Sequence, residues 1–306
     1  MPGLWMSITG MWLNTGNYEH DILVIMKKIA VIGTGIMGSG IVTNFLKNDY
    51  RVLVWNRSKD KLDHLIDKGA ISVNSPKEAI EQADILFEVT ANNESSRSVW
   101  LDKDGILAGA SQGKVLITCA TLAPAWIDEL ISECHNRGFT FFDMPMTGSR
   151  IGAETGNLTL LVGGDQDKLK EVESDLKAIS GKIIYFGKAG SGMRFKLLLN
   201  MLQAIHVEAL GEALRIAKEV GLDLVKVGES LAERPGGVVT KLAWESYQKE
   251  PSQVNFSVEW ITKDLNYAKQ LAEKLKTPLL DEVLEKYTQI SNNKLQQKDW
   301  TVVVKV

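Results

Sequence analysis

The sequence predicts an α/β Rossmann-type N-terminal domain with a mostly parallel sheet, followed by an all-α C-terminal domain led by a long interdomain helix. Three observations predict it. A buried-strand pattern at Lys27–Ile32 (KKIAVI) runs directly into Gly33-Thr34-Gly35-Ile36-Met37-Gly38. Strand and helix patterns then alternate as far as Ala189. Beyond it only helical patterns follow, at Met193–Val220, Asp223–Ala232, Val238–Tyr247, Val258–Leu275 and Pro278–Ser291, broken at Gly221, Pro235-Gly236-Gly237, Pro251 and Pro278. Composition agrees: 306 residues at 44% hydrophobic give ample core, and a net charge of −3 offers no electrostatic case for nucleic acid. Cys119 and Cys134 are too few for a disulfide framework, and His20, His64, His135 and His206 are scattered, so a reducing, cytoplasmic protein without structural metal is expected. No apolar run reaches the length of a bilayer span, and no membrane partner is expected.

Residues 1–25 carry no charge before Glu19 and lack both the basic start and the apolar core of a signal peptide. Met26-Lys27-Lys28 followed at once by a strand looks like a natural start. The expected division is therefore an extension outside the fold at 1–25, a dinucleotide-binding domain at 26–189, and a helical domain for substrate and oligomerisation at 190–306.

In the first of these domains, strand, glycine motif, helix (Ser39–Lys47) and second strand (Arg51–Trp55) come in the order a dinucleotide site requires. Gly33, Gly35, Ile36, Met37 and Gly38 would let a pyrophosphate approach the backbone at the helix N-terminus. The second strand ends at Asn56-Arg57-Ser58, where an NAD site normally has a carboxylate for the ribose 2′-hydroxyl. A guanidinium at Arg57 would welcome a 2′-phosphate, so NADP is expected over NAD. Ser75-Pro76-Lys77-Glu78 reads as a capping box. Strands follow at Ile85–Val89, Val115–Cys119 and Thr140–Asp143. Thr90 and Thr121 sit just past two of them, where they either touch the cofactor or cap a helix. Thr147-Gly148-Ser149 offers hydroxyls and free N–H groups that suit a small carboxylate, although a plain glycine-rich turn has the same composition. Leu158–Val162 and Ile183–Phe186 add two strands, extending a doubly wound sheet.

Gly190, Ser191 and Gly192 read as a loop leading into a helix in which Lys196, Asn200 and Gln203 share one face. Alone, Lys196 is an ordinary lysine lying along apolar surface, and Lys263 is a solvated partner of Asp264. The valines Val302, Val303, Val304 and Val306 form a tail that must pack within the domain or on another subunit.

From Met26 to that tail the chain resembles the β-hydroxyacid dehydrogenases, the group of 3-hydroxyisobutyrate dehydrogenase, tartronate semialdehyde reductase and glyoxylate/succinic semialdehyde reductase. GTGIMGSG at Gly33–Gly40, DMPMTGSRIGAETG at Asp143–Gly156, GSGMRFKLLLN at Gly190–Asn200 and the segment from Phe256 to Lys263-Asp264 carry the likeness. The resemblance implies that Lys196 is catalytic, that Asn200 helps hold the substrate, and that Thr147, Gly148 and Ser149 grip its carboxylate. It implies cofactor contacts for Thr121 and Lys263, and a homodimer or homotetramer. The family usually has Ser where this chain has Thr147; the hydroxyl is kept. The Asn56-Arg57-Ser58 ending is similar to the NADP-using glyoxylate/succinic semialdehyde branch. Two rivals stand beside this reading: an imine reductase-like NADPH enzyme, which typically replaces this lysine, and a cofactor-binding scaffold that has lost catalysis.

Overall fold

The computed structural model describes residues 27–233, 237–272 and 275–306. The expected extension at 1–25 lies outside them, as do Pro235 and Gly236 of the expected break. The chain opens with β1 (Ile29–Ile32), α1 (Ile36–Lys47) and β2 (Val52–Trp55). Gly38 and the whole second half of the glycine motif therefore lie inside the helix, which begins three residues earlier than the pattern suggests. A short α2 (Asp63–Ile66) leads to β3 (Ile71–Ser72), α3 (Pro76–Gln82) and β4 (Ile85–Glu88). Next come α4 (Asn93–Leu101), α5 (Ile106–Gly109), β5 (Val115–Thr118), α6 (Pro124–Asn136) and β6 (Thr140–Asp143). The domain closes with β7 (Met146–Thr147), α7 (Ser149–Thr155), β8 (Leu158–Gly163), α8 (Gln166–Leu176) and β9 (Ser180–Gly187). The sheet order is β3-β2-β1-β4-β5-β6-β8-β7, with β9 on β8. Strands β1 to β6 pair in parallel; β8 runs antiparallel to β6 and β7.

Several local details depart from the sequence pattern. Strands β3 and β7 span two residues each, too short to show a period. The turn-like segment after Thr147 is a helix; Gly148, Gly152 and Gly156 hide it, and Gly156 is the left-handed C-cap that ends it. Only half of the capping box forms. Ser75 accepts from Glu78 N, but the Glu78 carboxylate turns to Asn74 N at 2.8 Å.

The helical half comprises α9 (Ser191–Glu219), α10 (Leu224–Glu233), α11 (Val238–Gln248), α12 (Val258–Ala272) and α13 (Pro278–Ile290). Ser191 and Gly192 belong to the first turn of α9 rather than to a loop. The start of α9 is set from across the sheet. Asp143 at the end of β6 accepts Gly190 N at 2.5 Å and Met193 N at 2.6 Å, satisfying N–H groups that a helix start leaves open. Burial pushes the Asp143 carboxyl up to about 7, against those two N–H groups, which favour the charged form.

Two apolar clusters cover the faces of the sheet and a third fills the helical half. Helix α9 belongs to both halves: Met193 lies in a sheet-face cluster, Leu197 and Ala204 in the helical one. The tail forms a 3₁₀ turn at Trp300–Lys305 that packs within the helical half, burying Val303 and Val304. No helix among the described residues is long and apolar enough to cross a membrane.

Candidate active site

A cleft of about 640 Å³ opens between the carboxyl ends of the parallel strands and the helical half, the usual ligand crevice of such sheets. Gly35–Gly38 line it, carried on the glycine turn at Gly33. Gly33 has φ +97°, and a Cβ there would lie 2.6 Å from Val89 O, so only glycine fits the turn against β4. At Gly35 an added Cβ would meet nothing within 4 Å, leaving the backbone open to a ligand. Helix α1 begins there with no side-chain cap and no acidic residue in its first turn, so its N–H groups are free for an anion. These observations fit a dinucleotide pyrophosphate.

Asn56 works in the scaffold of this turn. Its Oδ1 accepts Thr34 N at 3.2 Å and its Nδ2 donates to Ser58 O at 2.9 Å. Arg57 is exposed beyond it and makes no ion pair or hydrogen bond among the described residues. Gly33, Asn56, Arg57 and Ser58 do not line the main cleft; the other predicted site residues do.

The second wall is built from β7 and α7. Thr147 pairs with Thr159 across the antiparallel ladder, Gly148 turns at φ +123°, and Ser149 sits in the left-handed region at φ +56°. Such backbone in a non-glycine residue is uncommon and concentrates at ligand sites. The hydroxyls of Thr147 and Ser149 bond to nothing among the described residues and remain available. Helix α7 is clamped to the dinucleotide helix: Asn44 Nδ2 donates to Gly40 O at 2.9 Å and to Ala153 O at 2.6 Å. A Cβ on Gly40 would lie 2.6 Å from Ala153 O, so the two helices touch backbone to backbone.

The third wall is α9 with α12. Lys196, Asn200 and Gln203 all face the cleft, as their helical spacing predicts. Asn200 Nδ2 donates to Asp264 Oδ2 at 2.6 Å, and Asp264 Oδ1 lies 2.8 Å from Lys263 Nζ. Lys263 Nζ also donates to Thr121 O at 2.8 Å, tying the helical half to the loop after β5. The pair is thus part of the cleft wall rather than a solvated surface contact; Lys263 is half-buried and Asp264 is 1% exposed, its Oδ1 receiving no well-aligned hydrogen bond. Burial pulls the Lys196 ammonium down to about 8, with Asp264 opposing the fall and Lys263 adding to it. Lys196 Nζ makes no hydrogen bond among the described residues.

Residues 28–187 match the family described as the NAD binding domain of 6-phosphogluconate dehydrogenase, and residues 190–306 that described as NAD-binding of NADP-dependent 3-hydroxyisobutyrate dehydrogenase. The chain belongs to the β-hydroxyacid dehydrogenase family. It is 28% identical to NAD-dependent L-serine dehydrogenase of Pseudomonas aeruginosa over 92% of this chain and 98% of that protein. It is 33% identical to the Arabidopsis thaliana protein named 3-hydroxyisobutyrate dehydrogenase-like 3, over 80% of this chain and 77% of that one. Among solved structures, 3-hydroxyisobutyrate dehydrogenase of Mycobacterium tuberculosis with L-serine shares the fold at a TM-score of 0.81 and 24% identity, over 92% of this chain and 99% of that one.

For a member of this family, four polar residues that shape the site escape sequence reading. Asp264 was hidden by its neighbour Lys263, which makes the pair look like a surface contact. Asp143 and Asn44 act on elements 47 or more residues away. Glu88 had a visible signal: it is the one charged residue of the strand Ile85-Leu86-Phe87-Glu88. It is fully buried, and burial pushes its carboxyl up.

Proposed function

We propose that this β-hydroxyacid dehydrogenase moves a hydride between NADP(H) and the carbinol or carbonyl carbon of a small β-hydroxy acid or aldehyde acid of the glyoxylate, succinic semialdehyde or 3-hydroxyisobutyrate type. The observation that carries the reading is Lys196, half-buried on the wall of the cleft that Thr147–Ser149 also line, with its proton affinity lowered to about 8. A group near neutrality serves as both acid and base. The bound nicotinamide supplies or accepts the hydride. In reduction the Lys196 ammonium donates a proton to the substrate oxygen; in oxidation the neutral amine removes it. Thr147 and Ser149 hydroxyls with the N–H groups around Gly148 hold the carboxylate, and Asn200, oriented by Asp264, contributes its free Oδ1 beside Lys196. Thr121 and Lys263 line the cofactor side. Arg57, exposed and unengaged at the end of β2, meets the 2′-phosphate.

The helical half also leaves Leu198 and Leu202 of α9 49% and 48% exposed, and the reading includes a homodimer or homotetramer formed over such surface; light scattering after size exclusion checks it. The enzymatic test is NADPH consumption with glyoxylate, succinic semialdehyde, methylmalonate semialdehyde and cyclic imines, and NADPH formation from NADP⁺ with L-serine as the reverse-direction alcohol. Turnover of an acid is expected, lost by about 10²-fold or more in Lys196→Ala with NADPH binding retained. Turnover of imines alone, or near-wild-type rates in Lys196→Ala, would overturn it.

A further inference from the structure

Glu88 ends the central strand β4, between Ile32 of β1 and Thr118 of β5. Its two oxygens are engaged unequally. Oε1 receives Thr90 N at 3.0 Å and also contacts the Thr90 hydroxyl; Oε2 contacts the Thr118 hydroxyl. Thr90 stands in the cleft wall, and Thr118 precedes the Cys119-Ala120-Thr121 stretch that also lines it. One buried carboxyl therefore ties together the two strand-end loops on the cofactor side.

The contacts set the donor arrangement. Oε1 accepts the Thr90 N–H, and the carbonyl-type oxygen of a carboxyl is the stronger acceptor, so any proton on Glu88 belongs on Oε2. The Thr90 hydroxyl, pointed at the same oxygen, must then donate its hydrogen inward. If the buried carboxyl holds a proton, that proton sits on Oε2 toward Thr118, and nothing changes at Thr90. Whatever the charge on Glu88, the Thr90 hydroxyl has only lone pairs left for the cleft.

We propose that Glu88 is a positioning residue that makes Thr90 an obligate hydrogen-bond acceptor in the cleft wall, where it receives a ribose hydroxyl or the carboxamide N–H of the bound nicotinamide cofactor and never a phosphate oxygen. This rests on the cleft being the cofactor site. It also accounts for a carboxyl in a strand position whose neighbours Leu86 and Phe87 are both core residues, since an apolar residue there would leave the Thr90 hydroxyl free to rotate.

The test measures NADP⁺ and NADPH affinity by tryptophan fluorescence quenching, alongside thermal melts without ligand. Thr90→Val is expected to weaken binding about ten-fold, the worth of one buried hydrogen bond left unmade. Glu88→Leu, which keeps Thr90 but frees its hydroxyl, should weaken it several-fold, while Glu88→Gln, with its amide oxygen toward Thr90, should restore binding to within about three-fold. The 3-acetylpyridine analogue of NADP⁺, which lacks the carboxamide donor, separates the two sources. The Thr90→Val penalty vanishes with the analogue if the carboxamide is the donor and persists if a ribose hydroxyl is. Wild-type affinity in Thr90→Val overturns the proposal, and so does wild-type affinity in a cooperatively melting Glu88→Leu. If Glu88→Leu does not fold, Thr90→Val decides alone. Absence of any cofactor binding by the wild type would instead remove the reading of the cleft itself.

Discussion

Lys196 shows how far one side chain's environment can be turned into a measurement. With its proton affinity at about 8, aldehyde-acid reduction should fall as pH rises through 8, because the ammonium is the donor, and alcohol oxidation should rise through the same range. Asp264 opposes the lowering, so Asp264→Asn should move both midpoints below 8. The same shift acts on stability. Below about pH 8 the native state buries a charged ammonium and bears the full cost. Between about 8 and 10.5 it has released a proton that the unfolded chain still holds, so stability rises with pH across that window. Lys196→Met should therefore raise Tm at pH 7 and lose that gain as pH approaches 10.5, while abolishing turnover. Arg57→Ala should shift the NADPH-to-NADH ratio of kcat/KM toward NADH by about ten-fold, a charge-assisted bond's worth; an unchanged ratio would remove Arg57 from the cofactor site. At this scale the sequence was readable where spacing carries meaning, as for Lys196, Asn200 and Gln203 on one helix face. It was opaque where the partner is remote in sequence: nothing about Asp264 alone announces the bond from Asn200, 64 residues earlier.

Among the elements, the decisive contacts hold the start of α9 and the position of α7. Asp143→Ala strips the acceptor from Gly190 N and Met193 N and should cost about 2–3 kcal/mol in urea unfolding, with Asn a partial replacement. Gly40→Ala places a methyl 2.6 Å from Ala153 O and should push α7 away from α1. Because α7 follows the Thr147–Ser149 wall, the expected kinetic signature is a raised KM for the acid with NADPH affinity little changed. Both contacts explain why element boundaries near the site were the hardest to read. A glycine looks like a turn signal in sequence, yet Gly40 and Gly192 sit inside helices because other backbone passes too close for a Cβ. The long strands and helices were legible because they bury whole faces and repeat their period.

At the scale of the whole molecule, the two halves are joined by one rod and several straps. The first turns of α9 pack with the sheet, Phe195 stacks on Phe186 at 4.0 Å, Arg194 pairs with Asp128 at 2.8 Å, and Lys263 reaches Thr121. A single cooperative thermal transition is expected, and NADPH at 100 times its Kd should add about 2.7 kcal/mol to the stability of both halves together. Two separate transitions in calorimetry, only one of them moved by NADPH, would show that the straps do not couple the halves.

The cap on α9 has a further consequence for what this lineage can change. Asp143 pins the helix at Gly190 and Met193, so the angular position of everything downstream is counted from that anchor. Deleting one residue between Met193 and Lys196 would swing Lys196, Asn200 and Gln203 by about 100° around the axis and out of the cleft, with every side chain chemically intact. The three-residue interval from anchor to lysine acts as a dial setting: composition along α9 can drift, but its count cannot.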